Sequence, residues 1–193
     1  MPNRREASSR ANRGPAAGPE NRRALIAAAR EVYAEAGLGA PFSQVAKRAG
    51  VGQGSLYRHF PDRTALAVAV FDENITALEA FAADPRHTVD DLLDLVADQA
   101  VVSTAFIELI SAQPEEPRVL HLGTRYRDIV ASLVERRQST GAEASVLDVD
   151  DVLLATEMLA HAISRSTPES RADAAARARR ILHSAFRPVA SSV

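Results

Sequence analysis

The feature that most constrains this chain is the spacing of its apolar residues, which keeps a helical period through segment after segment. Leu25, Ile26, Ala29, Val32, Tyr33 and Ala36 fall at i, i+1, i+4, i+7, i+8 and i+11, one face of a helix beginning near Asn21. Gly37 stops it, as a left-handed residue after a last turn does. Pro41 suits a first helical position, and Ser43 to Ala49 make a second, short helix. A third covers Gln53 to Phe60. Asp62 can cap a long fourth helix by accepting its free backbone N–H groups, and Leu66, Val70, Ile75 and Leu78 keep the period until Asp84-Pro85.

Thr88 with Asp91 resembles a capping box and opens a helix reaching about Ile110. Residues 118–138 predict one long helix, or a short one followed by a longer one, because Gly123 weakens the middle. Asp148 caps a helix over 148–166 with Val152, Leu159 and Ile163 on one face, and a last helix over 171–187 carries Ala178, Ile181 and Leu182. No alternating, β-branched run competes, so the fold class is all-α.

Composition narrows the function. The 46% hydrophobic content of 193 residues is enough for a core, and the absence of cysteine excludes disulfides, thiolate metal sites and cysteine nucleophiles. The first residues hold no apolar run, which predicts no signal peptide, and no stretch approaches the roughly 18 apolar residues of a membrane span. A soluble, cytoplasmic protein without membrane contact is expected. Charge is divided unevenly. Residues 1–63 hold 11 Arg and Lys against 5 Asp and Glu, whereas the rest holds 12 against 20. A basic end on an acidic body points to an anionic partner for the first third alone, beside the plainer reading of a solvated surface. Residues 1–19 read as a disordered basic arm, either a solubilising tail or a DNA contact.

The segment "AGVGQGSLYRHFPDR", Ala49 to Arg63, decides between phosphate ligands. A dinucleotide fingerprint needs a preceding strand, a G-x-G-x-x-G spacing and an acidic residue about 20 positions on. Here the glycines follow a helix at G-x-G-x-G, and the G-K-[ST] ending of a Walker loop is missing. A helix-turn-helix accounts for every residue. Ala46 is small where two helices cross, and Gly50 supplies the positive φ of the turn. Val45, Ala49, Val51, Leu56 and Phe60 point inward, which leaves Gln53, Ser55, Tyr57, Arg58 and His59 largely outside. Gly54 lets the backbone come close to a groove. A hydrogen-bonding, basic outer face on a second helix suits the major groove. A helical hairpin with a merely polar surface is the plainer alternative.

The stretch "NRRALIAAAREVYAEAGLGAPFSQVAKRAGVGQGSLYRHFPDRTALAVAVF" closely resembles the DNA-binding region of the tetracycline-repressor (TetR/AcrR-type) family. The resemblance implies an N-terminal three-helix helix-turn-helix domain and a C-terminal helical bundle for ligand binding and dimerisation, with about nine helices. The expected boundaries are 1–19 for the arm, 20–66 for the DNA-binding domain, 67–188 for the bundle and 189–193 for a tail. It implies a homodimeric repressor on a palindromic double-stranded DNA operator, released by a small-molecule effector. Carried over by position, Gln53, Ser55, Tyr57 and Arg58 touch bases or phosphates, Gly54 allows close approach, and His59 contacts a phosphate. Tyr57 has an alternative as a packing residue. Arg63 stands where the family commonly has a lysine, which keeps the charge and changes the geometry. Pro41-Phe42 stands where Thr or Ser is common, so a hydroxyl contact from the second helix falls to Ser43.

In the body, apolar residues at helical spacing are core by default. A pocket between helices would combine some of these, Phe106 and Tyr126 among Leu92, Leu93, Val96, Leu109, Leu122, Ile129 and Leu133, with Phe71, Phe81, Gln99, Thr104, His121, Arg125 and His161. The last two helices, 148–166 and 171–187, carry apolar stripes beside alanines, suited to a four-helix dimer interface or to packing within the subunit. No HExxH, Gly-x-Ser-x-Gly or E-x-x-H pattern occurs, so no enzyme, metal or cofactor is expected. A dimeric helical scaffold without DNA binding is the rival reading.

Overall fold

The computed structural model describes residues 17–99, 108, 109, 112, 113, 115–139, 147–167 and 169–186. Among them every element is an α-helix: α1 (Ala17–Ala36), α2 (Phe42–Arg48), α3 (Gln53–His59), α4 (Arg63–Ala83), α5 (Val89–Asp98), α6 (Pro117–Ser139), α7 (Val149–Ser164) and α8 (Arg171–Ala185). The arm up to residue 16 and the tail beyond 186 lie outside the described residues. The helix expected to reach Ile110 instead ends at Asp98, where Gln99 is its C-cap, and residues 100–107 lie outside the described residues.

Side chains at the predicted caps set where the helices begin. Asp62 Oδ1 accepts the Ala65 N–H at 2.6 Å and opens α4. Thr88 and Asp91 form a reciprocal box: Thr88 Oγ1 accepts from Asp91 N at 3.2 Å, and Asp91 Oδ2 accepts from Thr88 N at 2.8 Å. Asp148 and Asp151 make the same exchange at α7, at 2.8 and 3.1 Å. Each exchange satisfies two backbone donors that the first turn leaves unpaired.

Three further boundaries differ from the sequence reading, and of the two readings offered for α6 the single long helix is found. Helix α1 already includes Ala17 to Glu20, because Pro19 sits in a first turn where its missing N–H costs nothing. Pro41 is the N-cap of α2 and not its first residue: its ψ of 130° is extended, and Phe42 begins the helix. Phe60 is extended too, so α3 ends at His59. Gly123 does not divide α6. Its propensity cost of about 1 kcal/mol is outweighed by the burial of Val119, Leu122, Ile129, Val130, Leu133 and Val134 along the same helix.

One continuous core runs from Leu25 on α1 to Leu182 on α8. Helices α1, α2 and α3 pack together, α4 lies against both α1 and α6, and α5, α7 and α8 close the body. Helix α4 therefore belongs to both halves. No described helix is long and apolar enough to cross a membrane.

Candidate nucleic-acid interface

The turn between α2 and α3 rests on backbone hydrogen bonds. Ala49 N donates to Val45 O at 2.9 Å, Gly50 N to Lys47 O at 3.2 Å, and Val51 N to Ala46 O at 3.0 Å. To close it the chain passes through φ +65° at Gly50, a conformation in which a Cβ would crowd the following carbonyl. Ala46 is buried at the crossing.

Helix α3 has seven residues and one buried side chain, Leu56. Phe60, one turn on and also buried, completes its inner edge. Gln53, Gly54, Tyr57 and Arg58 are exposed. Ser55 and His59 are half-buried, not largely outside as expected. Four residues apart, they share one flank of the short helix. Ser43 on α2 and Arg63 at the start of α4 are both exposed and border the same helix pair.

The outer side chains are held in place. Tyr57 remains 56% exposed, yet its ring meets that of Phe42 edge-on, with centroids 5.3 Å apart and planes at 74°. This is a preferred aromatic geometry, and it leaves the hydroxyl outward. Phe42 is the residue that the sequence reading missed. It appeared there only as a departure from Thr or Ser, although an aromatic opening α2 was the available signal. Arg58 Nε donates to Gly54 O at 3.1 Å, and Arg63 Nη1 reaches Gly39 O at 3.5 Å. Among the described residues neither pairs with a carboxylate. Arg48, by contrast, is engaged by Glu31 and Glu35 at 3.0 and 2.8 Å, and its hydrogen bonds hold the Glu35 carboxyl below the usual range.

This face is tied to the body. Thr64, buried on α4, donates from Oγ1 to Gln113 Oε1 at 3.0 Å. Asp62 Oδ2 lies 3.5 Å from Arg118, which is itself gripped by Glu116 at 2.8 Å.

A helix-turn-helix with a donor-rich outer face, packed on α1 and carried by α4, is thus in place. Residues 25–70 match the family model of bacterial regulatory proteins, tetR family. That segment carries the N-terminal region of the tetR family. Similar solved structures agree in fold along the chain's length. SCO0520 of Streptomyces coelicolor is 24% identical with a TM-score of 0.60, over 88% of this chain and 99% of that one. GusR of Salmonella enterica is 23% identical with a TM-score of 0.60, over 86% and 95%. FadR of Bacillus subtilis, in complex with stearoyl-CoA, is 18% identical with a TM-score of 0.58, over 86% and 98%. No curated protein matches the sequence. The matched model is one of bacterial regulatory proteins.

The residues singled out for a tetR-type effector pocket are scattered. Phe71 is buried in the core. Phe81 is half-buried and stacks on His87, with centroids 3.8 Å apart. Gln99 caps the C-terminus of α5. His121 and His161 are exposed on α6 and α7. Tyr126 donates or accepts at 3.0 Å with Thr156 Oγ1, and burial pushes its phenol up to about 12. Phe106 and Thr104 lie outside the described residues. An open groove of about 320 Å³ between α4 and α6 is lined by Glu79, Ala82, Arg125, Asp128, Ile129 and Arg136, with Ala83 and Ser132. Of the polar candidates Arg125 lines it and Gln99, His121 and His161 do not, nor do Phe71, Phe81 and Tyr126. Arg125 is occupied there by ion pairs to Asp72 and Glu79.

Proposed function

We propose that the protein is a homodimeric transcriptional repressor that binds a palindromic operator and is released by a small-molecule effector. The observation that carries this reading is the outer face of α3, where Gln53, Tyr57 and Arg58 stand exposed beside Arg63, and the two arginines have no carboxylate partner among the described residues. Such a face suits base edges and phosphates of a major groove. In this reading Gln53 and Arg58 read bases, Ser43, Ser55, Tyr57, His59 and Arg63 position the backbone, and Gly54 permits close approach.

The last two helices support the dimer. Leu154 and Met158 on α7 and Ile181 on α8 are 56%, 59% and 62% exposed, an apolar set at helical spacing that a second copy would cover. Arg177 and Arg180 on α8 and Glu157 on α7 are exposed around that set and give the two copies opposite charges to pair.

Release by an effector is supported by the ties from the body to Asp62 and Thr64, which flank the phosphate contact Arg63. That FadR holds stearoyl-CoA directs the search for effectors to the body helices. An effector acts only if it favours a dimer whose two α3 helices no longer match successive major grooves, about 34 Å apart. A protein that works on chromosomal DNA belongs in the cytoplasm.

DNase footprinting upstream of the protein's own gene tests the reading. The expected result is two protected half-sites related by a dyad and centred one helical turn, or a multiple of it, apart. Binding there and in the neighbouring intergenic regions no stronger than to random DNA would leave a scaffold role as the better account.

A further inference from the structure

Arg22, on the first helix, lies over the ring of Phe60 with its guanidinium carbon 5.2 Å from the centroid. Phe60 is the C-cap that follows α3, and its ring is 6.4 Å from that of His59. Arg63 begins the next helix three residues on. Side chains from three helices, the guanidinium groups of Arg22 and Arg63 and the ring of His59, are thus gathered around one end of α3. We propose that Arg22 is a further DNA-backbone contact, supplied by α1 and aimed by Phe60, a proposal that rests on the DNA-binding reading above.

Pairing decides against a purely structural role. In the first 63 residues the described arginines fall into two groups. Arg30 and Arg48 are bound to carboxylates, Glu73 for the first and Glu31 and Glu35 for the second. Arg22, Arg23, Arg58 and Arg63 have no carboxylate partner among the described residues. Arg23 is bonded to the Pro19 carbonyl of its own first turn. Arg22 alone of the α1 arginines is fixed against the recognition helix. An exposed cation–π contact is a weak tether, about 0.5–1 kcal/mol. It occupies the face of the guanidinium and leaves its N–H edge open, and that edge is what matches a phosphate in a bidentate way. Arg22 is itself exposed, so a duplex lying along α3 meets it without rearrangement.

The test is the salt dependence of binding, between 50 and 200 mM salt, to two 30-base-pair duplexes, one from upstream of the protein's gene and one of random sequence. Arg22→Gln is expected to lower the slope of log K against log salt by about 0.9, the value of one phosphate contact. It should do so on both duplexes alike and leave the preference between them unchanged. Arg22→Lys, which keeps the charge and loses the planar fork, should keep the slope and bind several-fold more weakly. Arg48→Gln removes the same charge from the same domain at a paired arginine and should keep the wild-type slope. Thermal melting of each variant confirms that it is folded. A wild-type slope in Arg22→Gln, or an equal fall in Arg48→Gln, overturns the proposal while leaving the DNA-binding reading intact. Wild-type protein that binds the upstream duplex no better than the random one removes the operator reading instead, and the slope on the random duplex still judges Arg22. Failure to bind either duplex removes both.

Discussion

Helices α3 and α6 treat their polar side chains in opposite ways. Helix α3 is seven residues long and buries only Leu56. Its outer arginine, Arg58, bonds to its own backbone and to no acid. Helix α6 buries six side chains, and each of its five arginines is used inside the subunit. Arg118 holds Asp62, Arg125 holds Asp72 and Glu79, and Arg127 holds Asp150. Arg136 donates to the carbonyls of Ala82, Asp84 and His87 at 2.7, 3.0 and 3.1 Å, closing the C-terminus of α4. Arg137 reaches the Phe186 carbonyl. The lesson is that similar residue composition serves different ends. A scaffold helix spends its charges on its own subunit, and an interface helix leaves them available for another molecule.

The largest test of the contrast is a matched pair of core truncations. Leu56 is fully buried and Leu133 on α6 is 1% exposed, so Leu→Ala at either should cost about 2–5 kcal/mol. The consequences should differ. No other side chain of α3 is buried, so Leu56→Ala should release that helix, abolish DNA binding and leave most of the far-ultraviolet ellipticity. Leu133→Ala should lower the melting temperature of the whole chain and leave binding intact below the transition. Wild-type affinity in Leu56→Ala would show that α3 is not the reading element.

A smaller effect sets the two regions side by side at alkaline pH. Burial pushes the phenols of Tyr33, on α1, and Tyr126, on α6, up to about 12 from the ordinary value of 10. Each phenol stays neutral in the folded chain while the unfolded chain has begun to lose its proton. The stabilisation is therefore complete below pH 10 and is lost as pH rises from 10 through 12, on the order of 2 kcal/mol for each group. Melting temperatures measured at pH 8 to 11 should fall less steeply for Tyr33→Phe and for Tyr126→Phe. An unchanged slope in Tyr126→Phe would mean that water reaches the hydroxyl bonded to Thr156.

Local constraints were legible in the sequence and distant ones were not. The φ of Gly50 and the caps at Asp62, Thr88 and Asp148 each depend on residues within four positions, so spacing alone reveals them. The half-burial of Ser55 and His59 was missed because it depends on the width of the covered stripe on a very short helix. The groove was harder still. Whether Arg125 faces a ligand or an acid depends on how α6 lies along α4, and the acids it meets are 46 and 53 residues away. A periodic pattern says which face of a helix is inward. It does not say which neighbour that face will meet.

The smallest change gives the sharpest comparison, because the same substitution is placed on both helices. Gly54, in the first turn of α3, and Gly123, inside α6, are helical glycines, and a Cβ at either would meet nothing within 4 Å. Alanine loses less backbone freedom on folding, so each Gly→Ala should stabilise the chain by about 0.5–1 kcal/mol. If only stability matters, the two variants behave alike. If a duplex backbone comes up to α3, the open space at Gly54 is space that the DNA fills, and the added methyl group must push it away. Gly54→Ala should then melt higher than wild type and bind the upstream duplex at least ten-fold more weakly, about 1.4 kcal/mol. Gly123→Ala should melt higher and bind as wild type does. A more stable protein that binds less well cannot be explained by damage to the fold, so this pair separates the space kept for a partner from the space left by chance. Equal affinity in both variants would place the DNA away from Gly54 and require α3 to be tilted outward along its first turn.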